Sequence, residues 1–192
     1  MVGALDIIND QGVCLSLNQI SYGLGKPVEP VFIMMRRIAE NCNCFEEARA
    51  QILKTTPEMP FILTLSSAKE RKNAVFEPMG VKICERGAEA GVLTADNVTW
   101  GKDIDRSSVA TAVRRVRLDN IADMQRILRD PAVMLNCNIY SVIFDFSRNR
   151  FYLASGRTPA AKREHRQFTL FPPHVIAKKP EPTSQNEEAT FR

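Results

Sequence analysis

Histidine is nearly missing from this sequence, with two residues in 192, and tryptophan occurs once. A four-ligand zinc site needs more than this: Cys42 and Cys44 form a CxC pair, but His165 and His174 lie far along the chain from it. No metal and no cofactor is therefore expected. Long apolar runs are also absent. No stretch approaches the roughly 18 apolar residues of a membrane span, which argues against insertion in a membrane. The first twelve residues lack the basic and apolar regions of a signal peptide. The default compartment is the cytoplasm with reduced thiols. In keeping with that, the five cysteines are odd in number and their spacing makes no disulfide framework. Cys14, Cys84 and Cys137 stand in apolar runs and read as small core residues.

Charge is modest as well. The net charge is +4, concentrated in residues 106–117 and 162–166. Neither stretch interleaves aromatics with a dense basic stripe, so both read as solvated surface and no nucleic-acid partner is expected. With 44% hydrophobic and 25% charged residues, the remainder has the composition of an ordinary soluble globule.

The pattern along the chain predicts strands, then two helices, then strands again. Residues 3–9 and 13–18 read as strands joined by Asn9-Asp10-Gln11-Gly12, whose Asn and Gly supply the positive φ of a hairpin turn. A helix is predicted over 28–40, with Pro30 tolerable only in its first turn and Phe32, Met35, Ile38 and Ala39 on one face. A second helix, 44–54, has Asn43 in the capping position, Glu46 three residues on, and a core face of Ala48, Ile52 and Leu53. Strand-like runs follow at 61–65, 74–77, 81–84 and 92–95, in the manner of an antiparallel meander. Helices are predicted at 107–118 and, capped by Asn120, at 121–128. The clearest pair is the hairpin 139–145 and 150–155, in which Asp145 opens the turn and Gly156 relieves the backbone after the second strand. A last strand is predicted at 167–171. The order implies an α+β protein with helices layered apart from antiparallel sheets. Residues 1–172 form the expected domain, and 173–192 a polar, Pro-containing disordered tail.

Four segments in series carry a family resemblance. VGALDIINDQGVCLSLNQIS (2–21) is similar to a "GxLxGMNExGLAVxLN" hairpin, and KPVEPVFIMMRRIAENCNCFEEARAQILKTTP (26–57) to a helix pair ending in "TP". GVLTADN (91–97) is similar to a "VLVATNH" strand end, and NIYSVIFDFSRNRFYLASGRTPA (138–160) to a terminal "SVVFDP..L.LYVANG.P" hairpin. Together they resemble the acyl-CoA:6-aminopenicillanate acyltransferase-like family of N-terminal-nucleophile hydrolases and, more distantly, the choloylglycine hydrolases.

The resemblance implies a four-layer αββα sandwich and a cysteine freed at a chain N-terminus, whose thiolate attacks a linear amide or thioester carbonyl while its own α-amine serves as base. The sequence departs from that pattern at its start, which already matches the family's third or fourth strand. The expected fold is thus N-terminally incomplete, with the nucleophile upstream. Asn18 and Asn97 match the family's oxyanion-hole amides. Asp96 replaces the usual Thr beside the second, and a carboxylate there opposes oxyanion stabilisation. Thr111 stands where an arginine often supports the site, leaving Arg106, Arg114 or Arg115 as substitutes. The resemblance implies an acyl amide or acyl thioester substrate, acted on once a complementary N-terminal chain is present, or a homo-oligomer covering exposed sheet. The alternative is a non-catalytic scaffold or binding chain of the same fold.

Overall fold

A computed structural model describes residues 6–19, 29–55, 61–79, 82–87, 113, 115–134 and 136–171. Five strands make an antiparallel meander in the order β1-β2-β3-β4-β5: Asp6–Ile8, Val13–Gln19, Phe61–Ser67, Lys72–Met79 and Lys82–Arg86. In the turn before β2 Gly12 takes the expected positive φ, +82°, and a Cβ there would meet the Ala68 Cβ at 3.0 Å, whereas Asn9 does not take positive φ and serves the turn through its side chain instead. Two helices, α1 (Val31–Asn41) and α2 (Phe45–Lys54), intervene between β2 and β3.

Alternation along the strands decides what each sheet face does. Val13, Leu15 and Leu17 of β2, Phe61, Leu63 and Leu65 of β3, and Ala74 and Phe76 of β4 share one face. They are buried against Val31, Met34, Met35 and Ile38 of α1 and Phe45, Ala48 and Ile52 of α2. Large buried side chains of this kind each contribute about 1.5–3 kcal/mol. Met34 and Met35 are thus core, as the helical spacing suggests, whereas Leu53 of α2 is exposed. The opposite face is covered too, since Cys14, Ile62 and Val75 are buried on it.

The second sheet has the order β6-β7-β8: Tyr140–Asp145, Arg150–Ser155 and Arg166–Thr169. β6 and β7 form the predicted hairpin through a 3-10 turn. There Asp145 accepts from the Arg148 N–H at 3.2 Å and from the Ser147 hydroxyl at 2.6 Å, while Gly156 takes φ +105°. Helix α3 (Ile121–Leu128) packs near β6, and Asn120 is its cap, as predicted; the structure adds a full capping box, in which Asn120 accepts from the Asp123 N–H and the Asp123 side chain accepts from the Asn120 N–H. On the opposite face of this sheet the Tyr140 hydroxyl reaches Asp6 of the first sheet. The layers therefore run α1/α2, five-stranded sheet, three-stranded sheet, α3. This is the α+β, αββα arrangement expected from the order of elements.

Several local expectations are corrected. Asn43 does not cap α2. Cys44 occupies the cap position without a side-chain bond, and carboxylates serve the orphan N–H groups instead. Glu47 accepts from the Asn43 N–H at 2.7 Å, and Glu70, 25 positions away, accepts from the Phe45 N–H at 2.5 Å. The anions also suit the positive end of the helix. Residues 115–118 are not helical; the Val116 N–H bonds the Val113 carbonyl in one turn, and the chain then extends toward the Asn120 cap. Cys84 and Cys137 are exposed rather than core, because one lies on the edge strand β5 and the other in the turn before β6. The strand predicted at 92–95 and the 173–192 tail lie outside the described residues.

Candidate functional site

The face of β2 that looks toward the second sheet carries Cys14 and Ser16. Ser16 stands opposite Asp6 in the β1–β2 register. The Asp6 carboxylate accepts two hydroxyl hydrogen bonds, one oxygen from Ser16 and the other from Tyr140. A carboxylate between layers must be bonded in this way, because burial without partners costs several kcal/mol. Burial, and then the hydrogen bond to Asp6, holds the Tyr140 hydroxyl well above the usual tyrosine range. Both hydroxyls therefore stay protonated near neutral pH and act as donors. The three side chains form a fixed polar bridge rather than an acid–base pair.

Cys14 adjoins this bridge. Burial, with the Asp6 charge adding to it, pushes its thiol up to about 12. A nucleophile needs the thiolate, which this environment suppresses. Cys14 also lies mid-strand, so it has no terminal α-amine to serve as base. The arrangement suits a core thiol, in agreement with the sequence reading.

Asn18 pairs in register with Ile62, at the Phe61 end of β3. Along β2 it stands two residues beyond Ser16. Asn97, Arg106 and Arg114 lie outside the described residues, as do Asp96 and Thr111. Of the arginines that the sequence offers as site supports, only Arg115 is described, and it is exposed. Among the described residues no cluster of three His, Cys, Asp or Glu side chains is placed to hold a metal ion, and no helix is long and apolar enough to cross a membrane.

The sequence reading missed Asp6 and Tyr140. The signal was present for Asp6, because a lone acid inside an apolar strand demands a partner. It missed a second buried polar pair as well. His165 Nε2 lies 3.1 Å from the Ser141 hydroxyl, on the α3 side of the second sheet. Burial and the nearby Arg129 guanidinium lower the His165 pKa, opposed by the Arg163 carbonyl.

An open groove of about 730 Å³ lies at the other end of the sandwich. The β3–β4 turn, the approach to α3 and the β6 end form its walls, and Ser66 and Asn73 mark its place on the first sheet. Ser66 is opposite Cys14 in the register, four residues from Asn18, so the groove is separated from Asn18 by roughly 14 Å of strand.

The chain matches no known family model and no curated protein. Among solved structures it is similar to a Caenorhabditis elegans N-acylethanolamine-hydrolyzing acid amidase ortholog, with TM-score 0.59 and 15% identity over 88% of this chain and 78% of that one. At that identity the likeness speaks for architecture alone, and the chain shares the layered α+β fold of that protein.

Proposed function

We propose that this chain is the scaffold and oxyanion-binding part of a cysteine N-terminal-nucleophile amidohydrolase or acyltransferase of the penicillin acyltransferase-like type. Its substrate would be a linear acyl amide or acyl thioester. The observation that carries the reading is the layered fold itself, similar to that of an amide-hydrolysing enzyme, with the strand that ends in Asn18 paired to β3. In this reading the amides of Asn18 and Asn97 donate to the alkoxide that develops on the attacked carbonyl. A fixed donor of that kind contributes about 2.7–4 kcal/mol to the barrier.

The attacking thiol is none of the described cysteines. Cys14 is suppressed by burial, and Cys42 is buried with its thiol raised chiefly by the same cause. The reading assigns the nucleophile to a cysteine with a free α-amine on polypeptide other than these 192 residues, and the cytoplasm to the assembled protein. A second reading, a non-catalytic binding chain of the same fold, is favoured by that same lack of a fitting thiol.

The test uses protein purified from its native source, incubated with a panel of fluorogenic acyl amides and acyl thioesters and with a thiol-directed acyl probe. The expected result is hydrolysis, with the probe on a peptide that begins with cysteine. Asn18→Ala should then lower kcat by roughly 10²–10³ with little change in KM. No hydrolysis and no labelled N-terminal cysteine would sink the catalytic reading and leave the binding chain.

A further inference from the structure

Strands β7 and β8 are direct antiparallel neighbours, which a short turn could join. The chain takes a longer way. It leaves β7 at Gly156, with φ +105°, and residues 156–165 lie as a strap against β6 and β7 on the α3 side of the second sheet. The apolar hold on this strap is small, supplied by the buried alanines Ala160 and Ala161. Polar fasteners add to it. The Ala160 N–H donates to the Asn138 carbonyl at 2.8 Å. The Arg129 guanidinium, at the C-terminal cap of α3, donates to the carbonyls of Ala161 at 2.9 Å and Arg163 at 3.3 Å. The last fastener is His165, whose Nε2 lies 3.1 Å from the Ser141 hydroxyl of β6. Ala154 of β7 stands between them, in register with Ser141 and one step beyond the Leu153–Arg166 pair. Its small side chain leaves room for the imidazole to reach across β7.

The site accepts a neutral ring and resists a charged one. His165 Nδ1 is buried without a hydrogen-bond partner. The Arg163 carbonyl, which favours the proton, is already held by Arg129. Burial and then the Arg129 charge oppose protonation. No nearby anion compensates. From α3 the group beside the ring is Arg129, and the next residue, Asp130, accepts from the Ala132 N–H at 2.8 Å. β6 and β7 present the uncharged Ser141 and Ala154. Along residues 157–166 the exposed cations Arg157, Lys162, Arg163 and Arg166 stand with one carboxylate, Glu164, and none of these makes an ion pair among the described residues.

We propose that residues 156–165 are an acid-released latch: a proton on His165 sets a buried charge beside Arg129, and the strap lifts from α3 and β6 while the five-stranded sheet and its two helices stay folded. Release lets the charged ring reach water, which removes the cost of burying it. The opening is local because few apolar contacts hold the strap. The latch is independent of Asn18 and of any amide chemistry.

Hydrogen exchange of the full chain, read by mass spectrometry at about pH 7.5 and about pH 5, tests this, with labelling times scaled to the intrinsic exchange rate. Uptake of one proton on release raises the open population by up to about tenfold per pH unit. The expected result is a severalfold loss of protection in peptides covering 156–165 at the lower pH, with β2, β3 and β4 unchanged. His165→Gln should keep the strap protected at both values. His174→Gln, which alters the other histidine of the chain, should respond as the wild type does. Should His165→Gln fail to fold, the wild-type map and His174→Gln still decide. An equal loss along the whole chain, no loss at the strap, an acid response kept in His165→Gln, or one abolished in His174→Gln would each overturn the latch.

Discussion

The Tyr140 hydroxyl donates to the Asp6 carboxylate across the space between the two sheets, joining residues 134 positions apart. The Ser16 hydroxyl occupies the other oxygen of the same carboxylate. Tyr140→Phe removes one donor and leaves Asp6 with one partner, and it should cost about 1–2 kcal/mol in urea unfolding. Asp6→Ala strands two hydroxyls and should cost more. A double-mutant cycle should return a coupling of at least about 0.5 kcal/mol, because the groups touch. Strict additivity would show that the bridge is not formed in solution.

The Asn9 side chain binds in two directions at once. Its Oδ1 accepts from the Gln11 N–H at 3.1 Å and the Val13 N–H at 2.9 Å, and its Nδ2 donates to the carbonyls of Ala39 at 3.0 Å and Cys42 at 2.8 Å. The hairpin turn is thus fixed to the end of α1. Asn9→Ala should destabilise the protein by about 2–4 kcal/mol, since four bonds are lost and partly buried carbonyls are left without donors. Asn9→Asp keeps the acceptor bonds but sets a carboxylate against the negative end of the helix, so it should also destabilise. Equal urea midpoints for wild type and Asn9→Asp would contradict this account.

These two residues mark how far the sequence is readable. Asn9 is visible as a turn residue because turn chemistry is local, and the Asn120 cap and the β6–β7 hairpin are visible for the same reason. The bond from Asn9 to α1 is not visible, because it depends on where α1 packs. The α2 cap fails likewise: Asn43 is the local choice, yet Glu70 reaches the helix start from the β3–β4 turn. Apolar flanks suggest burial for Cys84, but an edge strand exposes it. At the candidate site, the strand that carries Asn18 is legible from alternation. The Asp6–Tyr140 bridge beneath it is not, since no periodicity links the two ends of the chain.

Cysteine reactivity should follow exposure and thiolate content. With its thiol near 12, Cys14 holds only about one part in ten thousand as thiolate at pH 8. Cys84 and Cys137 are exposed. Timed iodoacetamide labelling with peptide mapping should show those two modified first, and Cys14 only after denaturation. Early labelling of Cys14 would mean that the inter-sheet face opens to solvent.

His165 gives the stability of the fold a defined pH window. Its pKa in the folded protein is lowered below the usual 6.5, first by burial and then by the Arg129 guanidinium. The unfolded chain therefore binds this proton more readily than the folded one. The sign follows: the contribution is fully present above about pH 6.5 and is lost as pH falls from there through the folded-state value. Carboxylates held low in the folded protein, such as Asp145 and Glu29, act only at more acid pH. The interval from about pH 7.5 to 5 thus isolates the histidines, and among the described residues the histidine is His165, buried beside Ser141. The urea midpoint of the wild type should fall across that interval. His165→Gln, which cannot charge and keeps a polar group near the Ser141 hydroxyl, should show a flatter dependence, although its midpoint at pH 7.5 is lower. An unchanged slope in the variant would place the titrating group elsewhere.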